Sequence, residues 1–150
     1  MKARSDAVQA ALRKLDKQGT LPVAEQDKLL ADLAALREAA PALGHELTGR
    51  YHCLKGEAGP CRAEYGLALQ LEPENPKLLS GYGASLCRMH CLPEGLSFLL
   101  KARACGGRDL LLLNRLIYTL YQLDQPEALA EYFAEYTALT GERHEIEDWE

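Results

Sequence analysis

Lys77-Leu78-Leu79-Ser80-Gly81-Tyr82-Gly83-Ala84-Ser85-Leu86-Cys87-Arg88 decides the fold once it is laid over Leu43-Gly44-His45-Glu46-Leu47-Thr48-Gly49-Arg50-Tyr51-His52-Cys53-Leu54, the stretch 34 residues before it. Gly83 falls on Gly49 and Cys87 on Cys53; further along, Ala102 falls on Ala68 and Gly107 on Pro73 at the same lag. A second series, Pro60, Pro93 and Pro126, recurs at 33 residues, and each proline opens a helix-like run. Proline is tolerated there because the first amides of a helix have no intrahelical partner. A fixed period of this length marks a repeat architecture, each repeat being one supersecondary unit.

Each unit reads as two helices. In the first, Ala42 to Lys55 gives way to the breaker-rich Gly56-Glu57-Ala58-Gly59-Pro60 and a second run that stops at Glu72-Pro73. The second unit runs from Lys77 to His90, turns at Cys91-Leu92-Pro93 and continues to Cys105. In the third, Asp109 is placed to cap a helix reaching Leu123, and another runs from Pro126 to near Gly141. The drift between the two series predicts that the turn inside each unit shortens along the chain. Upstream, Ser5 is placed to cap a helix to Gln18, ended by Gly19, and Val23 to Ala40 carries Leu29, Leu30, Leu33 and Leu36 at helical spacing. The expectation is one all-α domain: N-terminal helices over residues 1–41, three hairpins over 42–140 and an acidic cap over 141–150. The cap holds five carboxylates against Arg143, with Ile146 and Trp149 for one apolar contact.

Composition agrees. The chain has 29 Leu and 21 Ala but only two Val and two Ile, so strand-forming residues are scarce. A net charge of -5 supplies no basic field for nucleic acid or an anionic membrane surface. No apolar run approaches the roughly 20 residues of a membrane helix, and Met1 to Leu12 lacks the pattern of a secretory signal, so the expected location is cytoplasmic. Five scattered cysteines argue against a disulfide framework and for small buried side chains.

Gly49, Cys61, Tyr65, Ala68 and Pro73 stand at positions 8, 20, 24, 27 and 32 of a unit begun at Ala42; Gly83, Gly95, Leu99, Ala102 and Gly107 hold those places from Pro76. This pattern resembles the tetratricopeptide repeat, strongly in two units and weakly in the third, where Ile117 replaces the glycine. The resemblance implies an α-solenoid of three hairpins preceded by two helices. Small residues would sit where paired helices approach, Gly49 against Cys61 and Gly83 against Gly95.

It also implies a concave groove that grips a protein or peptide segment. The residues directed into it are Leu43, Glu46, Arg50, Cys53 and Leu54 in the first unit, Lys77, Ser80, Ala84, Cys87 and Arg88 in the second, and Leu111, Asn114, Tyr118, Tyr121 and Gln122 in the third. Such a weakly basic, aromatic groove suits a segment with apolar anchors and acidic character. The family's clamp for the acidic tails of heat-shock chaperones is not reproduced: its places hold Glu46, Arg50, Gly81, Leu111 and Arg115, only Arg115 matches in type and place, and Glu46 and Leu111 would repel or ignore a carboxylate.

His52, Cys53, Cys87, His90 and Cys91 form the one constellation resembling a metal or redox site. No catalytic motif is present, and neither His45 nor His144 has an evident partner at helical spacing that would make it a base. The expected function is therefore a non-enzymatic adaptor or chaperone without a cofactor. Its layout is similar to that of the small type III secretion chaperones, with the stripe Leu29, Leu33 and Leu36 available for a homodimer. A generic scaffold subunit and a metal or redox sensor are the alternatives.

Overall fold

The computed structural model describes residues 1–149 and contains no strand over them. Its eight helices are α1 (Lys2–Gln18), α2 (Val23–Ala39), α3 (Pro41–Leu54), α4 (Ala58–Leu71), α5 (Pro76–Arg88), α6 (Leu92–Ala104), α7 (Leu110–Gln122) and α8 (Pro126–Thr140), followed by a 3-10 turn, Glu145–Asp148. None of them is long and apolar enough to cross a membrane. Two compact units result, one over Met1–Pro73 and one from Glu74 onward.

The first unit holds α1 to α4. Helix α1 ends at Gly19, whose φ of 79° lets its amide turn back to the Leu15 carbonyl at 2.7 Å. Ser5 does not cap this helix. The helix begins three residues earlier, the Ser5 amide reaches the Met1 carbonyl, and the hydroxyl, inside the helix, accepts from Gln9 Nε2. Val8, Leu12 and Leu15 of α1 meet Leu29, Leu33 and Leu36 of α2 and Leu47 and Tyr51 of α3 in one buried cluster. The leucine stripe expected to serve a homodimer is thus consumed by this unit's own core. Helix α3 crosses α2 at Gly44, where a Cβ would strike the backbone of Leu36 and Arg37. Its other glycine, Gly49, leaves room for the Tyr65 ring of α4, 2.7 Å from where a Cβ would stand.

The second unit holds α5 to α8. Asn75 Oδ1 accepts from the amides of Lys77 and Leu78 to start α5, and Asp109 Oδ1 accepts from Leu112 N at 2.7 Å to start α7. Gly83 and Gly95 do face one another: a Cβ on Gly95 would lie 2.8 Å from the Gly83 carbonyl oxygen. Helix α6 packs on α7 and α5 touches α7. The links between α5 and α7, Arg115 Nη1 to Ser80 Oγ at 2.8 Å and Cys87 Sγ to Thr119 Oγ1 at 3.4 Å, advance along both helices together, so the two run parallel.

A 34-residue period is written in the backbone as well as in the side chains. Gly56, His90 and Asp124 occupy equivalent places and all have positive φ, 74°, 65° and 54°. The next amide in each case, Glu57, Cys91 or Gln125, bonds back to His52, Leu86 or Leu120. First helices end at Leu54, Arg88 and Gln122, and second helices start at Ala58, Leu92 and Pro126. The turn therefore keeps one length, contrary to the shortening expected from the proline series. It is the prolines that slide, from the third helical position at Pro60 to the second at Pro93 and the first at Pro126, all within the turn where a missing amide is harmless.

The third hairpin keeps this backbone but not the close approach. Ile117, fully buried, stands where Gly49 and Gly83 stand, and α7 and α8 approach less closely than α3 and α4 or α5 and α6 do. A branched side chain at the crossing holds the backbones apart.

Candidate partner interface

Asn114, Tyr118 and Tyr121 lie four and three residues apart, on one face of α7. Leu129, Phe133 and Tyr136 repeat that spacing on α8. Because Ile117 spreads the two helices, these rows flank a shallow apolar bed rather than closing on each other. Gly141, with φ 78°, ends α8 and turns the chain so that residues 142–149 return across it.

The segment is seated by side chains. Ile146 is 2% exposed and joins the cluster of Leu113, Ile117, Leu120 and Leu129. His144, also 2% exposed, has its ring edge-on to Tyr118 and Tyr136 and beside Phe133. Its Nδ1 accepts from Ile146 N at 3.2 Å, which assigns the proton to Nε2 and makes that atom the donor to Asn114 Oδ1 at 2.8 Å. Tyr118 donates its hydroxyl to Glu145, and this bond, with burial second, pushes the phenol up to about 12. Trp149, 50% exposed, lies across Tyr118 and Tyr121 with ring centroids 6.1 and 5.5 Å away. Beside it a cleft of about 590 Å³ is walled by Tyr121, Leu129, Phe133, Ile146 and Trp149 and rimmed by Gln122, Asp124 and Glu147.

Asn114, Tyr118 and Tyr121, three residues assigned to the groove from the sequence, are therefore brought together and are covered by the chain's own segment. Leu111, 58% exposed, and Gln122 remain open on the same helix. On α5, Lys77 and Arg88 are exposed, Ala84 and Cys87 are half-buried, and Ser80 is buried beneath Arg115, the one residue that fitted the chaperone-tail clamp. In the first unit, Leu43 and Leu54 lean on the α1–α3 core, Glu46 and Arg50 are half-buried, and Cys53 is buried.

Among the described residues no three histidine, cysteine or acidic side chains converge as a metal set. Cys53 is hydrogen-bonded to Cys61, which together with burial raises the Cys61 thiol far above its ordinary range. Burial also raises Cys87, with the Thr119 hydrogen bond opposing it, and Cys91 turns to the Met89 carbonyl at 3.7 Å. A buried thiol raised in this way, as Cys61 is, makes a poor metal ligand and a poor nucleophile.

Helical spacing missed the partners of the histidines because those partners are tertiary. His45 Nδ1 meets Glu64 Oε2 of α4 at 2.6 Å, and His144 meets Asn114, 30 positions upstream. The α8 row was missed as well, although aromatic residues at Tyr132, Phe133 and Tyr136 beside the poorly matching third unit were its signal. Comparison with family models, curated proteins and solved structures returns no match.

Proposed function

We propose that the chain is a non-enzymatic protein-binding module of the tetratricopeptide kind, an adaptor or chaperone that takes a partner segment on the faces of its first helices. The observation that carries this reading is that the second unit already holds a polypeptide segment on α7 and α8, through a buried isoleucine, an aromatic bed and an Asn114 contact. That is the way helical grooves grip peptides, by spaced apolar anchors with a few polar contacts that set direction. The backbone period of 34 residues at Gly56, His90 and Asp124 supports the family resemblance, the third hairpin included.

In the second unit the face not covered by the segment is the one to test. Lys77 lies one turn before Ser80 and Leu111 one turn before Arg115, at the same end of two parallel helices, and both are exposed. Arg88, exposed at the far end of α5, extends the basic character of this face.

The test is affinity capture with the full chain, followed by reconstitution of the captured protein from purified components. Lys77→Glu, Arg88→Glu and Leu111→Ser, combined, should abolish the reconstituted complex and leave the far-ultraviolet circular dichroism unchanged. Undiminished binding by the folded triple variant would overturn the assignment of this face.

A further inference from the structure

Residues 144–149 close backbone hydrogen bonds among themselves. Glu147 N bonds to the His144 carbonyl, Trp149 N bonds to the Ile146 carbonyl, and Arg143 pairs with Glu147 and Asp148 at 3.2 Å. Toward the helices beneath, the segment sends side chains: Ile146, His144, Glu145 and Trp149. Only Ile146 and His144 of these are fully buried, Trp149 is half in solvent, and the cleft beside it has room for a bulkier anchor. A segment so held can leave without unmaking a helix.

We infer that residues 142–149 are a displaceable occupant, and that the α7–α8 face docks a partner segment of the same chemistry. That chemistry is a carboxylate for Tyr118, an isoleucine-like side chain next to it for the Ile117–Leu129 bed, and an aromatic ring three positions on for Tyr118 and Tyr121. It is the pattern of Glu145, Ile146 and Trp149. The inference rests on the protein-binding reading and adds to it the partner's motif and a built-in competitor. A tethered competitor acts at an effective concentration in the millimolar range. Only the fraction of molecules with the segment lifted can bind, so apparent affinity equals intrinsic affinity reduced by that fraction. Weakening the segment should therefore tighten binding of the partner, an effect that a mere structural cap cannot produce.

Trp149 is the protein's only tryptophan and reports its own displacement. The probe is a synthetic peptide of residues 141–150 carrying W149F, titrated into the full chain while Trp149 emission and anisotropy are followed. Saturable red-shifted emission with falling anisotropy is expected, and a peptide that also carries I146S should produce neither. Loosening the segment in the protein by Ile146→Ser should tighten the peptide about ten-fold or more, and the milder Glu145→Gln, which leaves Tyr118 a weaker, uncharged acceptor, should tighten it by about two- to five-fold, since each weakens a contact of the segment and leaves the bed intact. Helicity is checked by circular dichroism, and the Glu145→Gln protein keeps the test decisive if Ile146→Ser does not fold. No emission change in the wild type, with no peptide binding by either loosened variant at millimolar concentration, overturns the inference. Concentration-dependent dimerisation with Trp149 emission unmoved by peptide also overturns it, because the occupant is then a second copy. A negative result here with loss of the reconstituted complex on changing Lys77, Arg88 and Leu111 separates failure of this inference from failure of the protein-binding reading.

Discussion

Exchanging residues between equivalent turns should move stability in opposite directions. Gly56 and His90 hold the same left-handed place in successive hairpins, at φ 74° and 65°. A side chain in that region costs an L-residue about 1–2 kcal/mol, because Cβ crowds the following carbonyl. Glycine avoids this but gives back about 0.4–1 kcal/mol through the greater freedom of its unfolded chain. The net for His90→Gly is a gain of about 0.5–1 kcal/mol, and for Gly56→Ala a loss of the same size. Packing does not blur the comparison. A Cβ on Gly56 would meet nothing within 4 Å, and the His90 side chain is exposed. Urea unfolding followed by circular dichroism at 222 nm, with Trp149 fluorescence reporting on the second unit, measures both. The reasoning fails if Gly56→Ala is neutral or stabilising, or if His90→Gly is destabilising.

Three further outcomes follow from contacts in the second unit and one control in the first. Gly95→Ala should destabilise by about 1–2 kcal/mol, since its Cβ would meet the Gly83 carbonyl and Cys87, whereas Gly66→Ala, in open space within α4, should gain about 0.5–1 kcal/mol; urea titration measures each. Arg103 and Glu135 join α6 to α8 in a half-buried ion pair, and a double-mutant cycle with Arg103→Gln and Glu135→Gln should show coupling of about 1 kcal/mol after solvent screening. The Arg103 hydrogen bond lowers the Glu135 carboxyl, so this contribution is present above the ordinary carboxylate range and is lost as pH falls through the lowered value; acid titration of the single variants should be correspondingly flatter. Tyr118, raised to about 12, holds its proton more firmly folded than unfolded, so its contribution is complete below pH 10 and disappears as pH rises through 12. Tyrosinate absorbance should show a late-titrating phenol for Tyr118 beside Tyr51, which burial also raises, and Glu145→Gln should lower the Tyr118 step alone.

Local patterns were legible in the sequence wherever a residue's role is set by its own backbone. The period, the capping residues Asn75 and Asp109 and the helix stops at Gly19 and Gly141 are of this kind, and helix ends fell within a few residues of their places. Roles set by tertiary neighbours were not legible. Ser5 looks like a cap because serine favours caps, but three more helical residues precede it. Leu29, Leu33 and Leu36 form a stripe that any apolar surface would cover, and spacing cannot say whether α1 or a second chain does so. The prolines implied a shortening turn only because a proline position was equated with a helix start.

The most informative departure is Ile117. Judged against the glycine expected there, it made the third unit look degenerate, yet the turn at Asp124 follows the same backbone course as those at Gly56 and His90. A large side chain at the crossing changes the spacing of the helices without changing their path. What it produces is the bed itself: Asn114, Tyr118 and Tyr121 on one side and Leu129, Phe133 and Tyr136 on the other, separated enough to receive Ile146 and His144. A glycine at 117 would draw α7 and α8 together and close this space. Ile117→Gly should therefore do more than create a cavity. It should release residues 142–149 from the face, recorded as red-shifted Trp149 emission in protein whose helices persist by circular dichroism. Trp149 emission unchanged from the wild type in that folded variant would show that the bed does not depend on the helix spacing.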